Sequence, residues 1–309
     1  METTRAIRYE RFGGPEVLTH TSIPTPEPGP EQVRVAVRFA GVNPIDAKIR
    51  RGMFAREEQP SQPRGTGMDA AGVVDAVGEE VTGLHVGQAV FGQVATGAAA
   101  THALAAAHRL VVKPEWLSFE QAAALPVPLT TAVRVLDELA VGAGETLLVH
   151  AAAGAVGIVT AQLARAHGAT VVGTASPGNH DFLRELGVIP VSYGDGWEER
   201  VRSVLSDSGG VDAVLDASGR GVVAGSVTLT GDPHRVVSIA DDAAPEYGAR
   251  FSSSGGPSLA EAVDRCAPLL RDGRVWLPIA ATFPLAETAD AYARSEAGHV
   301  RGKLLIHAG

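Results

Sequence analysis

Thr146-Leu147-Leu148-Val149-His150-Ala151-Ala152-Ala153-Gly154-Ala155-Val156-Gly157 runs on into Ile158-Val159-Thr160-Ala161-Gln162-Leu163-Ala164-Arg165, and this stretch decides the fold. An apolar strand stops at small residues, and a helix begins with almost no side chain at its mouth. The first backbone N–H groups of a helix have no intrahelical partner, and the helix dipole is positive at that end. A pyrophosphate settles there only where no side chain stands in the way. Gly154 and Gly157, with Ala153, Ala155 and Val156 around them, leave that space. Ala-x-x-Gly-x-x-Gly is looser than the stricter Gly-x-Gly-x-x-Gly, and alone it also suits a tight turn packed with small residues.

Its surroundings favour the dinucleotide reading. A second strand, Ala169-Thr170-Val171-Val172-Gly173-Thr174, follows at the distance expected of a βαβ unit, with Gly168 placed to end the helix before it. The end of that strand selects the coenzyme. A carboxylate roughly 20 residues past the glycines would hold the ribose hydroxyls of NADH. Here the stretch is Thr174-Ala175-Ser176-Pro177-Gly178-Asn179-His180, with no acid before Asp181 and no Arg or Lys in the loop. Thr174, Ser176, Asn179 and His180 offer hydroxyl, amide and imidazole donors to a 2′-phosphate. NADPH is therefore expected over NADH.

The 309 residues are enough for two domains, and 45% of them are hydrophobic. Aromatics are only 5%, so the expected core is aliphatic and rich in alanine. The formal charge of -9, from 26 basic and 35 acidic residues, disfavours nucleic acid and anionic membranes as partners. No apolar run reaches membrane-spanning length and the N-terminus has no signal-peptide pattern, so a cytoplasmic protein is expected. The single cysteine, Cys266, lies in an apolar helical stretch and reads as a small buried hydrophobe.

The first third reads as β-rich. Residues 5–9, 32–39, 70–78 and 89–92 suit strands, 23–30 a proline-stiffened loop and 43–50 a short helix. From about Ser118 the rhythm becomes βα. Strands are expected at 146–150, 170–174, 189–192, 211–216 and 234–240, with helices between them. That alternation predicts a parallel sheet covered by helices on both faces. Ligands of such sheets bind beyond the carboxyl ends of the strands, which adds Ser218, Ile239 and Ala240 as cofactor contacts. Residues 275–279 and 303–306 are expected to be closing strands.

Taken together, these segments resemble the medium-chain dehydrogenase/reductase superfamily, and most closely its zinc-independent, zeta-crystallin-like quinone oxidoreductases. The matching pieces, in order, are Ala40-Gly41-Val42-Asn43-Pro44-Ile45-Asp46, Gly67-Met68-Asp69-Ala70-Ala71-Gly72-Val73-Val74, Leu129-Thr130-Thr131-Ala132, the 150–157 turn and Gly302-Lys303-Leu304-Leu305-Ile306. The resemblance implies an α/β chain with a GroES-like β-rich catalytic domain, residues 1–117 with 272–309. A Rossmann doubly wound parallel-sheet NADPH-binding domain, 118–271, would be inserted in it. It also implies a cleft between the two and a homodimer. The zinc-dependent members carry Cys at the position of Asn43 and His-Glu where this chain has Met68-Asp69, so no metal is expected.

By the same resemblance Asn43, Asp46 and Thr130 are the candidate catalytic residues, with Asn43 and Thr130 near the nicotinamide ribose and amide. Lys48 and Arg51 would lie by the cleft. Tyr193 would face the 2′-phosphate ribose and Lys303 would approach the cofactor. The early loop departs from the family in having Ile45, Ala47 and Lys48, with Phe54 the nearest aromatic. The implied activity is hydride transfer from NADPH to a quinone or an α,β-unsaturated carbonyl, a small electrophile that needs no Lewis acid. Two rivals stand beside it: a biosynthetic enoyl reductase acting on a CoA- or carrier-bound acyl chain, and a non-catalytic NADPH-binding structural or regulatory protein.

Overall fold

The structure, a computed structural model, describes residues 2–205 and 209–309. It divides into two compact units: Met1–Val127 with Ser258–Glu261 and Leu277–Gly309, and Pro128–Pro257 with Ala262–Trp276.

The second unit is built on six parallel strands. Their order is Ile189–Ser192, Thr170–Ala175, Thr146–His150, Ala213–Asp216, Val236–Ser238 and Arg250–Phe251. Val, Leu and Ala fill the middle strands because both faces are covered, as parallel sheets require. Leu148, Val172, Val214 and Val236 lie in one buried cluster with Trp197 and Val201 of the helix Trp197–Val204. The strand order runs outward in both directions from Thr146–His150, the doubly wound arrangement expected of the sequence. Gly168, at φ 90°, takes the left-handed position after the helix Ala155–Ala166.

The first unit holds a seven-stranded sheet. Along its path come Ile279–Pro284, Lys303–His307, Gln32–Val42, Asp69–Val77, Ala89–Gln93 and Leu110–Val112, with His102–Ala106 also paired to Gln32–Val42. A three-stranded sheet joins Thr19–Pro24, Thr3–Tyr9 and Arg64–Gly65. The core beneath is aliphatic and alanine-rich, with Tyr292 as its large aromatic.

Three expected elements are corrected. The closing strand read at 275–279 begins instead at Ile279 and runs to Pro284, because Val275 and Leu277 are buried without a strand partner. Ile23 and Pro24 belong to a strand rather than a loop. Pro24 is tolerated because Thr19–Pro24 is a sheet edge, where its missing N–H interrupts no ladder. The strand read at 234–240 is only Val236–Ser238, since Pro233 starts a 3₁₀ turn before it. Cys266 is buried as expected, and burial pushes its thiol pKa up.

Candidate active site

The turn after Thr146–His150 is shaped by backbone. Ala151 takes φ 59°, Ala152 N–H donates to Thr174 O at 3.0 Å and Gly154 N–H to Ala151 O at 3.0 Å. The first donor inside the helix is Ile158 N–H, to Gly154 O at 2.9 Å. The N–H groups of Ala155, Val156 and Gly157 precede it, and no side chain caps them. A Cβ on Gly154 would meet only Ala151 O, at 3.3 Å, whereas one on Gly157 would stand 2.5 Å from that oxygen and 2.8 Å from Ala152 Cα. Gly157 lets the helix close onto the turn; Gly154 keeps its mouth open. The residues present therefore fit a pyrophosphate.

Two loops leave the neighbouring strands side by side, because Ala175 and Ser192 are in register. In the first, Asn179 Nδ2 donates to Ser176 Oγ at 3.1 Å, and His180 keeps a buried Nε2 with no protein partner. In the second, Tyr193 is 47% exposed. Thr174 is buried, and its hydroxyl contacts His150 Nδ1 at 3.1 Å. His150 Nε2 lies 3.3 Å from Ser226 Oγ, which donates to Val222 O at 2.7 Å. With that proton committed, a neutral imidazole donating from Nε2 satisfies every group in the chain. Burial holds the His150 pKa down at about 4, against the opposing pull of Asp216.

Asp216, fully buried, ties down two further loops. One oxygen accepts from Ser218 N at 2.8 Å, Ser218 Oγ at 2.7 Å and Gly219 N at 3.1 Å. The other accepts from Ser238 Oγ at 2.8 Å, and Ser238 Oγ in turn accepts from Ala240 N at 3.2 Å. Ser218, Ile239 and Ala240 thus stand beyond two adjacent strand ends, fixed by one carboxylate.

The first unit contains a buried polar cluster. Asn43 precedes the helix Pro44–Arg50, and the Asp46 carboxylate reaches back to accept its N–H at 2.9 Å, a capping-box contact. Asn43 Nδ2 donates to Asp69 Oδ2 at 2.9 Å, as does Val127 N at 3.2 Å. Lys303 Nζ bonds to Asn43 Oδ1 and stands 3.4 Å from Asp69 Oδ2. Tyr292 OH donates to Asp46 Oδ2 at 3.2 Å, and the Arg50 guanidinium lies 5.1 Å from the Tyr292 ring centre. Arg50 also pairs with Glu296 of the helix Thr288–Ala297.

The charges here are strained by burial. Desolvation raises Asp46 to about 7, the Asn43 N–H opposing it and the Asp69 charge adding to it. It raises Asp69 against the pull of Lys303, and lowers Lys303 against the pull of Asp69. Asp46 Oδ1 and Asp69 Oδ1 are buried without a protein partner.

The structure thus groups Asn43, Asp46 and Lys303 in one unit. It groups Ala153, Gly154, Ala155, Val156, Gly157, Thr174, Ser176, Asn179, His180, Tyr193, Ser218, Ile239 and Ala240 at the strand ends of the other. Thr130 is half-buried in the helix Pro126–Leu139. Lys48 is half-buried, while Arg51 is exposed and paired with Glu296. Sequence reasoning missed the linking roles of Asp69, Tyr292, Arg50 and Asp216. The Asn-x-x-Asp spacing at 43–46 was the one readable signal among these contacts.

A zinc ion does not fit the positions that match the ligands of the zinc-dependent members. Asn43 and Met68 are neutral and poor zinc donors, and the Asn43 amide is committed to Lys303 and Asp69. Among the described residues no group of three or more His, Cys, Asp or Glu could hold a metal ion.

Residues 29–115 match the alcohol dehydrogenase GroES-like domain family, and 195–306 the zinc-binding dehydrogenase family. Quinone oxidoreductase of Sus scrofa is 32% identical over 93% of this chain and 92% of that protein. That of Mus musculus is 44% identical over 55% of this chain, a match spanning only 52% of that protein. A pikromycin polyketide synthase component of Streptomyces venezuelae is 36% identical over 91% of this chain and 8% of its own length. The quinone oxidoreductase structure from Coxiella burnetii superposes with a TM-score of 0.89 at 32% identity, covering 100% of both chains. The Escherichia coli quinone oxidoreductase complexed with NADPH gives a TM-score of 0.86 at 27% identity, over 98% of this chain and 99% of that one.

Proposed function

The chain belongs to the quinone oxidoreductase branch of the medium-chain dehydrogenase/reductase superfamily, and from that premise we propose that it is a metal-independent, NADPH-dependent reductase of quinones or α,β-unsaturated carbonyls. The observation that carries this reading is the open helix mouth at Gly154, with three early N–H groups of the helix uncapped. Bound NADPH would supply the reducing equivalent as hydride.

The residues divide the remaining work. Ala155, Val156 and Gly157 N–H groups hold the pyrophosphate, and Ser176, Asn179, His180 and Tyr193 hold the 2′-phosphorylated ribose. Ser218, Ile239 and Ala240 bound the coenzyme beyond the next strands. Asn43 and Thr130 are assigned to the nicotinamide end. Asp46 acts through Asn43, because it is 3% exposed and its Oδ2 accepts from both the Asn43 N–H and the Tyr292 hydroxyl. Lys303 sets the direction of the Asn43 carbonyl. The β-rich unit is read as the catalytic domain, and the enzyme as a cytoplasmic homodimer.

A panel measuring NADPH oxidation with quinones, enones and enoyl thioesters, with NADH as control, tests this. Turnover of quinones or enones with NADPH supports it, and faster turnover with NADH removes the coenzyme assignment. The polyketide synthase likeness favours a second reading, reduction of an acyl thioester, for which enoyl thioesters would be the best substrates. Coenzyme binding without turnover of any acceptor would leave a structural or regulatory role.

A further inference from the structure

The coenzyme assignment lacks one thing: the loop 174–180 contains no cation to meet a 2′-phosphate. The adjacent loop is held by one. Ser192 is in register with Ala175, so the chain after Ser192 runs beside the chain after Ala175. Arg200, in the helix Trp197–Val204, folds back onto it. Its Nε donates to Ser192 O at 3.0 Å and its Nη1 to Asp195 O at 2.8 Å. Its Nη2 donates to Tyr193 O at 3.2 Å and to Gly194 O at 2.9 Å. Four consecutive carbonyls converge on one guanidinium. Gly194 and Gly196, at φ 88° and 73°, allow the backbone to curl around it.

We propose that Arg200 is a positioning residue that sets coenzyme choice: it fixes the loop bearing Tyr193 and supplies the positive charge missing from the neighbouring loop, so that a 2′-phosphorylated adenosine is preferred. This rests on the NADPH reading above. A guanidinium is planar, permanently charged and rigid in its donor directions, so it holds a loop in one shape as a flexible ammonium does not. The local charge strengthens the case. Between Ser192 and Arg200 the other ionic residues are Asp195, Glu198 and Glu199, all acidic. Removing Arg200 takes the formal charge of this stretch from -2 to -3, which opposes a phosphate dianion more strongly and leaves an uncharged ribose unaffected.

The test compares the wild type with Arg200→Gln and Arg200→Lys, each first shown to be folded by thermal unfolding. With one acceptor, KM and kcat are measured for NADPH and for NADH. For Arg200→Gln the KM for NADPH should rise about tenfold, a loss of about 1.4 kcal/mol. The KM for NADH and both kcat values should stay near the wild type. Arg200→Lys, which keeps charge without the fork, should fall between the two. A probe that needs no turnover reads the same end of the site: adenosine 2′,5′-bisphosphate should bind the wild type more tightly than adenosine 5′-monophosphate, and Arg200→Gln should lose that preference. Equal loss for both coenzymes, or an unchanged NADPH preference in Arg200→Gln, overturns the proposal while leaving the NADPH reading standing. A wild type that prefers NADH or the 5′-monophosphate overturns both.

Discussion

A Cβ placed on Gly154 meets one atom within 4 Å, and the backbone there, φ -78° and ψ 164°, suits any residue. Aspartate is in fact a favoured N-cap, its carboxylate accepting from the second or third helical N–H, here Val156 or Gly157. Those are the donors assigned to the pyrophosphate. Gly154→Asp should therefore stay folded, with stability unchanged or raised by roughly a few tenths of a kcal/mol, and lose coenzyme binding through occupancy and repulsion. Calorimetric titration beside thermal unfolding reads both; a folded variant with wild-type affinity would displace the phosphate assignment. Asp46 yields a second prediction at this scale. Its folded pKa of about 7 lies above the ordinary carboxyl value of 3.8, so the folded state binds the extra proton. Stability from this group then falls as pH rises from about 4 to about 7, by at most about 4 kcal/mol, and is flat above. Asp46→Asn keeps a hydrogen-bond acceptor without titrating, so its stability relative to wild type should climb across that window. Urea unfolding at several pH values measures it, and parallel curves would refute it.

Among elements, the helix Pro44–Arg50 is tied to Thr288–Ala297 by a side chain with no exposure. Arg50 donates to Gly13 O at 3.2 Å and pairs with Glu296, and its Nη1 already lacks a partner. Glu296→Ala would strand a buried guanidinium, which costs about 3–5 kcal/mol in comparable cases. Chemical denaturation should show a loss of that order; a loss below about 1 kcal/mol would mean the pair behaves as a surface one. Strands set off by the βα rhythm were readable: Thr146–His150 and Ile189–Ser192 have the expected bounds. Arg64–Gly65 and Arg250–Phe251 were not, because two residues cannot display an alternation. Pro24 read as a loop because a sequence does not reveal which strand is an edge.

Across the whole chain, the turn proposed to hold the pyrophosphate was legible because glycine spacing, strand and helix are contiguous in sequence. The buried polar cluster of the first unit was not. Lys303 and Asn43 are 260 residues apart, and no local pattern in one sequence couples them. Arg200 was equally silent, since a side chain that grips its own backbone leaves no compositional trace. The donor set at Asn43 and Met68 carries a prediction for the intact protein: turnover should survive dialysis against a chelator unchanged. A loss that zinc restores would require ligands elsewhere.

The Lys303 ammonium closes the Asn43–Asp69 cluster from the strand Lys303–His307. A growing polypeptide that has emerged only as far as Pro284 already owns both acids and the amide, but not their counter-ion. Only when that strand pairs with Gln32–Val42 does the ammonium reach those acids. Translation order alone thus keeps the polar cluster incomplete until that strand has been made, and a ribosome stalled short of it would hold both acids without their counter-ion.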